Sequence, residues 1–263
     1  MPFANIRGQE IFFEDSGGTG PVVLLAHGFL MDQSMFASQV RALSPDFRVV
    51  TWDERGFGQT RWDGKPFTYW DSADDALALL DHLGAPRAIV GGMSQGGFVS
   101  LRAALRAPAR VAGLVLISTQ AGIDPPETIA GYRQMMETWL SVGPIDPLVS
   151  AIASIILGPD QAQWEPWISR WRAMPKEQLQ APTLCLLERD DLTSRAGEIT
   201  APAIVFHGTA DHAIPMARAE ALSAALRDCR RLVRVEGAAH AANVTHPDAV
   251  NPALVDFCKS LAV

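Results

Sequence analysis

Cysteine is scarce in this 263-residue chain, and the three present, Cys185, Cys229 and Cys258, show no Cys-x-x-Cys spacing. That pattern indicates neither a disulfide framework nor a zinc site, and it reads as buried thiols in a reducing cytoplasm. Basic charge is short as well: 22 Lys and Arg stand against 29 Asp and Glu, a formal net charge of -7. Neutralising phosphates requires a clustered excess of Lys and Arg, so the balance argues against nucleic acid as a partner. The short basic run Arg227, Arg230, Arg231 reads as a solvated helix end. No apolar run approaches the roughly 18 residues a membrane helix needs, and Met1 to Glu10 has neither the positive region nor the apolar stretch of a signal peptide. The expected protein is cytoplasmic, with no membrane partner. Pro and Gly are spread along the chain, and neither internal repeats nor low-complexity tracts occur.

What is present is a globular composition, 48% hydrophobic and 19% charged, long enough for one large α/β domain with an insertion. Pro21 to His27, Phe47 to Asp53, Arg87 to Gly91 and Val111 to Ile117 are continuous apolar stretches bounded by Gly or Pro, as doubly covered parallel strands require. Ala203 to Phe206 and Leu232 to Val235 follow later, and Ile6 to Glu14 reads as an antiparallel edge hairpin. Helical patterns alternate with these strands, the signature of a parallel sheet covered on both faces. Ser72, with Asp75 three residues on, is expected to cap a helix over Ala73 to Leu83 that ends at Gly84. Asn251 before Pro252 is expected to cap the terminal helix, whose apolar face carries Leu254, Phe257 and Leu261.

Between about Gly122 and Glu188 the alternation stops. No strand run appears there, so residues 122–188 read as a helical cap inserted into a core formed by 1–121 and 189–263. Trp164, Trp167 and Trp171 recur at i, i+3 and i+7 and share a helix face. They pack the insertion onto the core, form an aromatic wall over an apolar pocket, or do both at once.

A serine hydroxyl is a weak nucleophile unless it is exposed, aligned with a base and placed beside oxyanion donors. Gly92-Met93-Ser94-Gln95-Gly96 meets the first demand, because a strand enters it and a helix leaves it, as a Gly-x-Ser-x-Gly elbow needs. His240, in the loop after the last strand, falls at the carboxyl edge of the sheet where Ser94 also lies, and is the best-placed base. Asp211 fits the chain order Ser, acid, His and is the expected orienting carboxylate. An Asx turn before the helix after Pro215 is its structural alternative. The backbone N–H groups of Gln95 and of Phe29, in the turn after His27-Gly28, are the expected oxyanion donors.

Taken together, His27-Gly28-Phe29, the loop Asp53-Glu-Arg55-Gly56-Phe-Gly58, the Ser94 elbow, His207-Gly208-Thr-Ala-Asp211 and Gly237-Ala-Ala-His240 resemble the α/β-hydrolase superfamily across nearly the whole chain. Within it the chain looks most like the bacterial group of 3-oxoadipate enol-lactonases, carboxylesterases and cofactor-free perhydrolases. The resemblance implies an eight-stranded, mostly parallel sheet with a helical cap after the sixth strand. It implies cleavage of a small, apolar or weakly charged ester or lactone through an acyl-enzyme, with no cofactor or metal and with a homodimer as an allowed assembly. Asp53 and Arg55 are expected to hold their loop by an Arg to carboxylate or backbone contact. Two other readings stay open: carbon–carbon hydrolysis or peracid formation on the same triad, and a hydrolase-derived small-molecule receptor with very slow turnover.

Overall fold

A computed structural model of the chain describes residues 2–261. The chain runs β1 (Phe3–Ile6), β2 (Gln9–Asp15), β3 (Val22–Ala26), α1 (Ala37–Leu43), β4 (Arg48–Trp52), α2 (Tyr69–His82), β5 (Ala88–Met93), α3 (Gln95–Arg106) and β6 (Val111–Ile117). Helices α4 (Pro126–Val142), α5 (Asp146–Leu157), α6 (Glu165–Ala173) and α7 (Gln180–Leu187) follow with no strand between them. The chain then closes with β7 (Ala203–Gly208), α8 (Met216–Ala225), β8 (Cys229–Val235), α9 (Ala242–Thr245) and α10 (Pro247–Lys259).

These strands form one eight-stranded sheet in the order β1-β2-β4-β3-β5-β6-β7-β8. The hairpin β1–β2 joins β4 antiparallel, whereas the pairings from β4 through β8 are parallel. Every residue of β3, β5, β6 and β7 is buried, which explains why those segments are apolar without alternation. Successive side chains still leave on opposite faces. Leu24, Val90, Leu116 and Val205 pack with α2 and α3, while Leu25, Ile89, Val115 and Phe206 pack with Leu43 of α1 and Leu254 and Phe257 of α10.

Three local expectations need correction. Helix α2 begins at Tyr69, not Ala73, because Thr68 and Asp71 form the capping box: Asp71 N–H donates to Thr68 Oγ1 at 3.3 Å and Thr68 N–H donates to Asp71 Oδ2 at 2.9 Å. Ser72 and Asp75 are buried inside the helix, where Asp75 accepts both prongs of Arg55 at 2.6 and 2.9 Å. Helix α10 begins at Pro247, a position where the missing proline N–H costs nothing, and Pro252 lies inside it. Asn251 caps nothing; its amide donates to Ser38 Oγ at 3.0 Å and accepts from Gln39 Nε2 at 2.7 Å, tying α10 to α1. Arg230 and Arg231 are exposed residues of the edge strand β8, not a helix end, and charge on an edge strand discourages pairing with another chain.

Candidate active site

β5 runs through Gly92 and Met93 straight into Ser94, and α3 starts at the next residue. The turn is sharp enough to put Ser94 at φ 53 and ψ −110, a left-handed conformation that costs an L-residue energy and persists only where its surroundings impose it. Ser94 N–H donates to Ile117 O at 2.8 Å, and Ser94 O accepts from Thr119 Oγ1 at 2.8 Å and from Gly97 N–H at 2.9 Å. Glycine is required at 96 because a Cβ there would stand 1.9 Å from Ala26 O. The elbow and the end of β3 are therefore in backbone contact, which brings Ser94 beside the loop that carries Phe29.

His240 lies beyond β8, and its Nδ1–H donates to Asp211 Oδ2 at 2.8 Å. The other oxygen, Asp211 Oδ1, accepts from Ala213 N–H at 2.9 Å and Ile214 N–H at 3.0 Å. The Asx turn is thus formed as well, but it closes the loop rather than capping a helix, since α8 starts only at Met216. Burial raises the Asp211 carboxyl, yet the neighbouring His240, these backbone donors and His207 outweigh it and hold it below the ordinary carboxylate value. Asp211 is therefore an anion at neutral pH. With Nδ1 engaged as donor to Asp211, Nε2 is the ring nitrogen left for another partner.

Ser94 and His240 line one cavity of about 100 Å³. Its walls are otherwise largely apolar: Phe29 and Leu30 from the core loop, Met135 and Met136 from α4, Ile152, Ile155 and Ile156 from α5, and Leu186 from α7. Asp124 and Tyr132 add polar groups. Asp124 is engaged elsewhere, accepting from Arg189 Nη2 at 2.8 Å and Gln120 Nε2 at 2.7 Å, so Asp211 is the carboxylate paired with His240. Burial, with Asp124 and Asp211 nearby, pushes the Tyr132 phenol up to about 12, so it stays a neutral donor.

The N–H groups of Phe29 and Gln95 donate to no protein acceptor among the described residues. The loop of Phe29 is held by a buried histidine. Glu54 N–H donates to His27 Nε2 at 3.0 Å, so the ring proton sits on Nδ1 and is donated to Gly28 O at 2.8 Å. Burial lowers His27 to about 4, which keeps this tautomer neutral. Asp53 accepts from Gln33 N–H and Gln59 N–H, each at 2.8 Å, pinning the same loop to the segment after β4. Glu54, fully buried and raised well above the usual carboxylate range by burial, accepts from Gln95 Nε2 at 3.3 Å behind the elbow.

Of the two readings of the tryptophan face, packing holds and the wall does not: Trp167 and Trp171 are buried in one hydrophobic cluster with core residues such as Leu30 and Phe57. Trp167 and Trp171 line a separate groove of about 440 Å³ with Asp32, Asp53 and Gln178, while the Ser94 cavity is walled by α4 and α5. Sequence reasoning missed those wall residues, although a signal was present: Tyr132, Met135 and Met136, and again Ile152, Ile155 and Ile156, recur at i, i+3 and i+4, one helix face each.

The family model described as the alpha/beta hydrolase fold matches residues 21–148. A RutD protein of Agrobacterium fabrum, named for carbamate hydrolysis, is 30% identical over 93% of this chain and 97% of its own length. The chain belongs to the α/β-hydrolase superfamily. Among solved structures, this α/β-hydrolase superposes on the enol-lactonase from Burkholderia xenovorans LB400 with a TM-score of 0.88 and 29% identity, covering 98% of this chain and 100% of that one. A thermophilic esterase from Thermogutta terrifontis gives a TM-score of 0.87 at 28% identity over 98% and 97% of the two chains. Both share its fold over nearly the whole chain.

Proposed function

We propose that this hydrolase cleaves a small carboxylic ester or lactone through an acyl-enzyme on Ser94. The observation that carries the reading is the Asp211 to His240 hydrogen bond of 2.8 Å, anchoring a histidine that shares one largely apolar cavity with the strained Ser94. His240 Nε2 takes the Ser94 proton as Oγ bonds to the carbonyl carbon, and the carbonyl π pair moves onto oxygen. The free N–H groups of Phe29 and Gln95 receive that oxyanion, and each such donor contributes about 3 kcal/mol in the transition state. His240 then protonates the leaving alkoxide, and water attacks the acyl-enzyme by the same route. The largely apolar lining favours an uncharged acyl group, and the esterase and lactonase named among the similar structures support an oxygen-ester bond as the target.

Short p-nitrophenyl esters and small lactones assayed against parent and Ser94→Ala test the assignment. The variant is expected to lose at least about a thousandfold in turnover while unfolding at the parent temperature. Turnover near the parent rate would overturn Ser94 as nucleophile. An acyl burst without further turnover would mark the receptor-like reading instead.

A further inference from the structure

Trp171 lies on α6, is 1% exposed, and lines the separate groove rather than the Ser94 cavity. That N–H donates to Leu30 O at 2.6 Å. Leu30 is the residue after Phe29 and sits at φ 63, one of the few non-glycine residues in the left-handed region. It occupies the third position of a turn closed by Met31 N–H donating to Gly28 O at 3.0 Å, a turn whose second residue is Phe29. A left-handed residue at that position is normally glycine or asparagine, so leucine stays there only if its flanking peptides are held. His27 holds the Gly28 carbonyl from below, at 2.8 Å. Trp171 holds the Leu30 carbonyl from the helical insertion. A rotation of this turn would swing the Phe29 N–H, which has no other fixed partner among the described residues.

We infer that Trp171 is a positioning residue for the oxyanion: its indole N–H locks the turn Gly28 to Met31 and so aims the Phe29 N–H at the carbonyl attacked by Ser94. The inference rests on the assignment of Phe29 as an oxyanion donor. It makes docking of α6 and assembly of the oxyanion hole a single event, and it gives the tryptophan face a role that wall packing alone does not.

The test compares full-length Trp171→Phe with Trp167→Phe, which removes an indole from the same helix and leaves the hydrogen bond to Leu30 O intact. Each is measured for kcat and KM on a short p-nitrophenyl ester, for thermal unfolding, and for inhibition by a matched alkyl trifluoromethyl ketone. That ketone accepts Ser94 Oγ at its carbonyl carbon and leaves an oxyanion where the ester would. Trp171→Phe is expected to lower kcat about tenfold with KM within twofold, and to weaken the ketone in proportion; Trp167→Phe should leave both near parent values. Should Trp171→Phe fail to fold, β-(3-benzothienyl)alanine at 171 keeps the ring shape and removes only the N–H, with the same expectation. If the Trp171 replacement lowers the unfolding temperature but matches Trp167→Phe in kcat and in ketone affinity, the residue is structural and the inference falls. Failure of the proposed acyl-enzyme function itself has a different signature: the ketone would not inhibit the parent enzyme, and Ser94→Ala would remain active.

Discussion

The carboxyl edge of the sheet and the helical insertion above it are built to opposite tolerances. At the sheet edge the backbone itself is the construction material: Gly96 meets Ala26 O, Ser94 is held left-handed by Ile117 and Thr119, and His27 and Asp53 clamp the adjacent loops from buried positions. In the insertion, α4 spans 17 residues yet buries only Met136 and Trp139, and the exposed apolar side chains Ile123, Val142 and Ile145 lie in or beside it. The difference teaches where change is affordable. Atoms added at the sheet edge collide with backbone, whereas wall side chains exchanged on α4 and α5 reshape the cavity without touching the edge.

The largest expected effect breaks the edge. Gly96→Ala should cost about 3 kcal/mol or more in urea unfolding, together with most activity, because the new Cβ meets only backbone atoms that cannot step aside. A variant as stable as the parent would show that the elbow is looser than its contacts imply. Next comes the wall: Ile155→Phe fills part of the cavity, and the ratio of kcat/KM for butyrate to that for acetate esters should fall about tenfold. An unchanged ratio would remove α5 from selectivity. The smallest effect lies in the insertion's own helix. Gly131, inside α4, has no atom within 4 Å of an added Cβ, so Gly131→Ala should gain up to about 1 kcal/mol, read as a rise of a few degrees in Tm, with kinetics unaltered. Two alanine substitutions at glycine, opposite in sign, would define the contrast.

Much of the sheet was legible because doubly covered strands must be apolar throughout, so Val22–Ala26 and Val111–Ile117 announce themselves within a residue or so. Local capping was less legible. Thr68-x-x-Asp71 and Ser72-x-x-Asp75 are both plausible boxes four residues apart, and the choice was settled by Arg55, which claims Asp75 from a distant loop. The tryptophans show the same limit: spacing puts Trp164, Trp167 and Trp171 on one face, but whether that face meets the Ser94 cavity or the groove behind Leu30 depends on how α6 docks.

What the sequence determined by itself is the element pattern and the chain order of serine, acid and histidine around a glycine elbow, because these follow from local periodicity and local backbone freedom. Tertiary structure alone decided the other partners: the aliphatic wall from α4 and α5, and the indole of Trp171 on Leu30. Each joins segments far apart in the chain. Periodicity sets which face of an element is apolar, but only the packing of one element on another sets what that face meets.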